Sequence, residues 1–291
     1  MSESLHHIPP VTLQIGDIRV DVLSDGFFLM DTGGVFGLVP RTLWEPLTGP
    51  PDDNNRIRLD LNCLLIRDGT RAVLVDTGIG AKIEPRRRET AYPGDYGHLL
   101  TSLAALGVGL TEIDTVVNTH LHFDHCGWNT AIVHGAPIPT FPNARYFIQR
   151  GEWEAATHTN ERTRATYLAD NLVPIDESGQ VELVEGETQV TPSLRILPAP
   201  GHTADHSIIV LSSQGETAVY MGDVVQHALQ IDRPAWISAF DTLPLVSLET
   251  KKRLVEEAYV TGSLLITTHA PYPGMGRMHD DNGRRRYVPM P

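Results

Sequence analysis

Thr119-His120-Leu121-His122-Phe123-Asp124-His125 sets three histidines and one aspartate within six residues, directly after the apolar run IDTVVNTH. On an extended or turning backbone, side chains two apart share a face, so His120 and His122 point the same way. Asp124 and His125, past the turn, are free to face a second point. Imidazole nitrogen and carboxylate oxygen are the donors that zinc-like cations bind at about 2.0–2.2 Å. Four donors do not complete two sites, so the pattern requires further ligands downstream. His202 in PAPGHTADHS, Asp223 ending TAVYMGD and His269 ending LLITTH supply them. Each stands at a strand end, where a rigid scaffold meets a loop and holds a ligand accurately. A lone histidine is more often a packed or surface residue than a ligand. A core does not accept this many polar groups unless something satisfies them. The expectation is two divalent metal ions, zinc first, with iron, manganese and cobalt tolerated by the same ligands.

Two such cations sharing a water lower its pKa toward neutrality and make a nucleophile without Ser or Cys. A serine hydrolase is disfavoured, because no Gly-x-Ser-x-Gly elbow occurs. Cys126 follows the cluster but shows no Cys–His arrangement with an orienting group, and reads as a small buried residue.

Strands must carry these residues. VTLQIGDIRVDVLSDG predicts two short strands about a turn at Gly16-Asp17. Phe27 to Arg58 mixes apolar residues with Gly and Pro, and reads as a long loop with a short helix, often a functional kind of segment. NCLLIRDGTRAVLVDTGIG reads as a hairpin turning at Asp68-Gly69. His98 to Leu106 reads as helix, RYFIQRGEWEAAT as strand then helix, and VELV, SLRILPA, SIIVLS and TAVYMGD as strands. A helix from about Leu248 to Tyr259 is expected to begin at SLETKK. Asp280 to Pro291 is expected to be partly ordered at best. No repeat or linker appears, and the second half repeats the rhythm of the first. One domain over residues 1–291, with two sheets face to face and helices outside, satisfies that pattern.

Bulk properties narrow the partners. A chain of 291 residues buries a substantial core without disulfides. A net charge of −13 argues against nucleic acid and anionic membrane surfaces, and suits a neutral small-molecule substrate better than a polyanion. Two cysteines make no disulfide framework, and MSESLHHIPP carries no secretory pattern, so a cytoplasmic location is expected. No apolar run reaches the length of roughly 18 residues needed to span a membrane.

THLHFDH, followed by the GHT turn, the MGD strand end and TTH, resembles the metallo-β-lactamase superfamily, whose hallmark is His-x-His-x-Asp-His with a later His, Asp and His. LVDTGIG at Leu74 to Gly80 resembles that family's early Asp-containing turn. The FDH variant and VFGLVPRTLWE resemble its N-acyl-homoserine lactonase and methyl parathion hydrolase branch. The resemblance implies an α/β fold, an αββα four-layer sandwich with a dinuclear site at one edge. It implies His120, His122 and His202 on one metal, Asp124, His125 and His269 on the other, and Asp223 bridging both. Asp76 would orient the ligand loop, since ligating histidines commonly donate their other N–H to a carboxylate. The alternative for Asp76 is a plain turn cap.

The implied activity is opening of a lactone or ester, acyl-homoserine lactones and hence quorum quenching included. Asp124 and Asp223 would be the catalytic residues, Asp124 returning a proton to the leaving oxygen. An organophosphate triester or aryl ester hydrolase is the rival enzyme, and a non-catalytic metal-binding protein the alternative of a different class. The sequence departs from the branch where many lactonases carry a Tyr three residues after the bridging Asp. Gln226 stands there, with His227 next, and either lines the pocket mouth or donates a hydrogen bond. Asp205 replaces a usual Gly. Phe36, Leu38, Trp44, Phe123 and Trp128 are candidate pocket walls for an apolar substrate portion, with core packing the commoner fate of each. The resembling lactonases also imply a homodimer contact through the early aromatic segment.

Overall fold

The computed structural model describes residues 8–290, so the opening MSESLHH and Pro291 lie outside the described residues. Two mixed sheets stack face to face. One runs in the order Val11–Ile15, Ile18–Asp31, Arg56–Asp68, Arg71–Val75, Thr115–Val117, Arg145–Gln149 and Val181–Val184, with Gly94–Tyr96 also paired to Ile18–Asp31. The other runs Thr188–Thr191, Leu194–Pro198, Ser207–Ser213, Glu216–Tyr220, Leu264–Ile266, Met275–Asp281 and Arg284–Pro289.

The period-two alternation of a strand explains why the central runs are apolar throughout. Leu64, Ile66, Val73, Val75 and Val117 face inward against Ile209, Leu211, Ala218, Leu264 and Ile266 of the facing sheet. Their neighbours Cys63, Leu65, Leu74 and Val116 face outward and are covered by Leu99 and Leu103 of the helix Leu99–Ala105 and by Ala156 of Arg150–Thr157. On the far side Ile208, Val210 and Leu265 meet Leu254, Val255 and Ala258 of the helix Pro244–Thr261. Helix, sheet, sheet, helix is the αββα sandwich.

Three expectations need correction. Phe27 to Arg58 is not mainly loop. The strand Ile18–Asp31 continues through it, Arg56–Asp68 begins inside it, and the helices Thr32–Phe36 and Arg41–Thr48 lie between. Phe28 and Leu59 pair across these strands, and the strand-breaking glycines cluster in the helical connection. The last helix starts at Pro244 rather than at Ser247-x-x-Thr250, because proline suits a first helical turn while Ser247 and Thr250 are buried. The tail is ordered as far as Met290, the last described residue: Met275–Asp281 and Arg284–Pro289 form a hairpin whose turn, Asn282-Gly283, has both residues at positive φ. Asn-Gly is the strongest short hairpin signal, and the charged flanks disguised it.

Topology explains where chemistry sits. Arg71–Val75 and Thr115–Val117 are parallel neighbours in one sheet, Glu216–Tyr220 and Leu264–Ile266 in the other. Their carboxyl ends therefore emerge together, delivering Asp76, the His120 loop, Asp223 and His269 to one edge.

Candidate metal centre

The ligand atoms of His120, His122 and His202 lie within 4.8 Å of one another, and so do those of Asp124, His125 and His269. Asp223 stands between the two groups. One of its oxygens is 3.2 Å from His125 Nε2 and 3.1 Å from His269 Nε2, the other 3.4 Å from His202 Nε2. All seven predicted residues converge, and each is at most 9% exposed.

The remote nitrogens fix the imidazole tautomers. His125 Nδ1 lies 2.8 Å from Asp76 Oδ2, His202 Nδ1 3.0 Å from Asp241 Oδ1, and His269 Nδ1 2.8 Å from the Asp60 carbonyl. Carboxylates and carbonyls only accept, so each Nδ1 carries a proton, and in the neutral ring Nε2 is the nitrogen that presents a lone pair to the cluster. Thr119 Oγ1 donates to Asp76 at 2.9 Å and therefore accepts from His120 Nδ1 at 3.1 Å. His122 uses its other nitrogen, Nδ1, which lies 2.9 Å from His202 Nε2.

Asp76 is thus an orienting residue and not a plain turn cap. At φ 53° it aims one oxygen at the Thr119 amide, 2.8 Å away, and the other at His125. Gly222, at φ 50°, precedes Asp223 where a Cβ would come within 2.6 Å of His206 Nε2, so only glycine lets the chain pass.

Burial opposes charge on every group, and the mutual arrangement decides the outcome. Desolvation would hold His125, His202 and His269 neutral, but Asp223 and its companion carboxylates outweigh it and raise their pKa values. Desolvation would raise Asp223, but His269, His125 and His202 hold it well below the carboxylate range. His120 and His122 fall well below the usual histidine value through burial and their imidazole neighbours.

His120 Nε2, His125 Nε2 and Asp223 Oδ1 are buried without a hydrogen-bond partner. Lone pairs converging in a dry pocket are costly unless a cation accepts them. The donor set and these orphaned atoms fit divalent metal ions.

Five of the seven, excluding His120 and His125, open onto a cavity of about 400 Å³. Of the five candidate walls only Phe123 lines it. Phe36 and Trp44 stack at 4.8 Å inside the core, Trp128 donates Nε1 to buried Asp25 at 2.9 Å, and Leu38 is fully exposed. Phe28, Met30, Leu59 and Tyr92 supply the apolar wall instead. Gln226 lines the cavity with its amide 3.0 Å from His202, whereas His227 packs on Phe36 away from it. Asp205 lies against Gly151, where a side chain would collide with its carboxylate. Cys126 is buried, its thiol pushed up to about 12 by desolvation.

Sequence reasoning missed four supports. His206 Nε2 accepts from the Asp223 amide at 3.0 Å, and Asp241 and the Asp60 carbonyl hold His202 and His269. Buried Glu152 accepts from the Leu121 amide, Tyr167 and Thr203, tying the His122 and His202 segments together. Only His206, inside GHTADHS, carried a readable signal.

The profile of the metallo-beta-lactamase superfamily matches residues 57–262. An N-acyl homoserine lactonase of Bacillus cereus is 26% identical over 172 residues, 55% of this chain and 61% of that protein, so the match spans less than two-thirds of the relative. A probable metal-dependent hydrolase from Staphylococcus aureus superposes with a TM-score of 0.85 at 28% identity, covering 95% of this chain and 98% of that one. A dizinc quorum-quenching lactonase, AidC, with an N-hexanoyl-L-homoserine product superposes with a TM-score of 0.81 at 20% identity, covering 97% and 98%.

Proposed function

The chain belongs to the metallo-beta-lactamase superfamily, and from that premise we propose a hydrolase that holds two divalent cations and opens lactones or esters, acyl-homoserine lactones first among them. Convergence of the seven donors, with three buried donor-set atoms that have no hydrogen-bond partner among the described residues, carries the reading. His120, His122 and His202 would hold one cation, Asp124, His125 and His269 the other, and Asp223 both. When bound, such a pair polarises a carbonyl and acidifies a water. Zinc is the proposed metal, because imidazole and carboxylate donors suit it and a dizinc lactonase shares the fold.

The chain's own residues supply the rest. Asp124, the most exposed of the seven, borders the cavity and is placed to carry a proton. Water oxygen joins the acyl carbon, the acyl–oxygen bond breaks, and Asp124 passes a water proton to the departing alkoxide. Phe28, Met30, Leu59 and Phe123 form an apolar wall that suits a small substrate with an apolar portion and keeps bulk water back. The named activity of the Bacillus cereus relative supports the lactone preference. No helix among the described residues is long and apolar enough to cross a membrane.

A panel of N-hexanoyl-homoserine lactone, 4-nitrophenyl butyrate and a methyl phosphotriester, run with and without chelator, tests the proposal. Chelator-sensitive opening of the lactone at the highest kcat/KM is expected. A faster phosphotriester, or hydrolysis indifferent to chelation, contradicts it.

A further inference from the structure

Arg162 follows the helix Arg150–Thr157 and, among the described residues, is the one lysine or arginine lining the cavity. Its Nη2 donates to the Ala239 carbonyl at 2.8 Å, joining two cavity-lining segments. A guanidinium carries five N–H donors, and this is the single hydrogen bond the Arg162 side chain makes among the described residues. Two of the cavity's hydroxyls are committed: Thr166 and Thr242 give their protons to the carbonyls of Thr163 and His202. The Thr163 and Tyr92 hydroxyls and the buried Gln226 amide remain as neutral donors, and Arg162 alone among these adds a charge. The opposite wall of Phe28, Met30, Leu59 and Phe123 offers no polar atom beyond its backbone. Arg87 also reaches this side, its Nη2 3.4 Å from the Ala165 carbonyl, but it does not line the cavity.

We propose that Arg162 determines specificity by reading a hydrogen-bond-accepting oxygen, an amide carbonyl or a carboxylate, that the substrate carries away from its scissile carbonyl. The inference rests on the hydrolase reading and names the substrate class within it: a carbonyl ester with an apolar stretch and a second oxygen acceptor. The physical ground is asymmetry of recognition. An apolar wall separates ligands weakly, one methylene at a time, while a donor aimed into a site favours the ligand that satisfies it. Arginine suits this role because its planar fork holds one bond to Ala239 and still offers others. Arg162 is exposed, so water competes for those donors and the effect is modest.

The test uses the metal-loaded enzyme and three 4-nitrophenyl esters of one chain length: hexanoate, the half-ester of hexanedioate with its free carboxylate, and the corresponding half-amide. Arg162→Gln is expected to raise KM about tenfold for the carboxylate ester and roughly threefold for the amide, with kcat held. KM for the hexanoate should stay within about twofold. Arg162→Lys keeps charge without the fork, so it should recover part of the carboxylate effect and little of the amide effect. Tyr92→Phe removes a neutral hydroxyl donor from the cavity wall and should leave the discrimination intact. An equal loss on all three esters, no change on any, or discrimination lost in Tyr92→Phe but kept in Arg162→Gln overturns the inference. Chelator-sensitive turnover of the hexanoate would leave the hydrolase reading standing in each case. Its absence from the wild type would remove that reading and this one together.

Discussion

The strand ends that carry the candidate ligands and the segments that wall the cavity obey different constraints. At the strand ends, residue type matches what a cation would accept, and position is set by parallel strands that finish at one edge. On the wall, shape and apolarity suffice, and Phe28, Met30, Leu59 and Tyr92 are chemically no different from residues that pack the core. Chemistry is written in the side chains; the wall is written in the fold.

Breaking the first region should cost most. Asp223→Ala removes the carboxylate shared by both ligand groups and leaves His125 and His269 facing each other; bound metal and turnover should both collapse, read by elemental analysis and kcat/KM. Asp76→Asn keeps the shape but puts an N–H or a weaker acceptor before His125 Nδ1, and should lower metal affinity roughly 10–100-fold in chelator competition. Phe28→Ala, on the wall, should alter KM for long-chain substrates several-fold and leave metal content unchanged; an equal loss of metal would erase the distinction between the regions.

Smaller effects sharpen the contrast further. Lys251 donates to the Trp236 carbonyl beneath the segment carrying Asp241 and Phe240, and burial lowers its pKa from 10.5 to about 8. Between those values the unfolded chain holds more protons, so this lysine makes stability rise with pH there and contributes no slope below 8. Denaturant melts of wild type minus Lys251→Met across that window isolate it from the tyrosines. Leu38→Ser should change nothing measurable, because the fully exposed side chain touches neither core nor cavity.

The same contrast explains what was legible. Three histidines and an aspartate in six residues have no packing rationale, so the cluster stood out, as did His202, Asp223 and His269 at apolar strand ends. The two-sheet sandwich was legible because strands buried on both faces read as unbroken apolar runs. The segment around Phe28 and Leu59 was misread because its strands flank glycine- and proline-rich helices, so composition averaged over both. Phe36, Trp44 and Trp128 looked equally eligible for the cavity; only packing sends them inward. Asp241 and Glu152 act on His202 and His122 across long sequence separations, which no local pattern records.

Metal stoichiometry measured alongside lactone hydrolysis, before chelation, after it and after zinc is returned, tests the two-cation centre most directly. Two equivalents per chain are expected, with activity lost as they leave and restored as they return, and neither recovered by Asp223→Ala. A chain that hydrolyses at full rate without metal, or binds none with all seven donors intact, contradicts it.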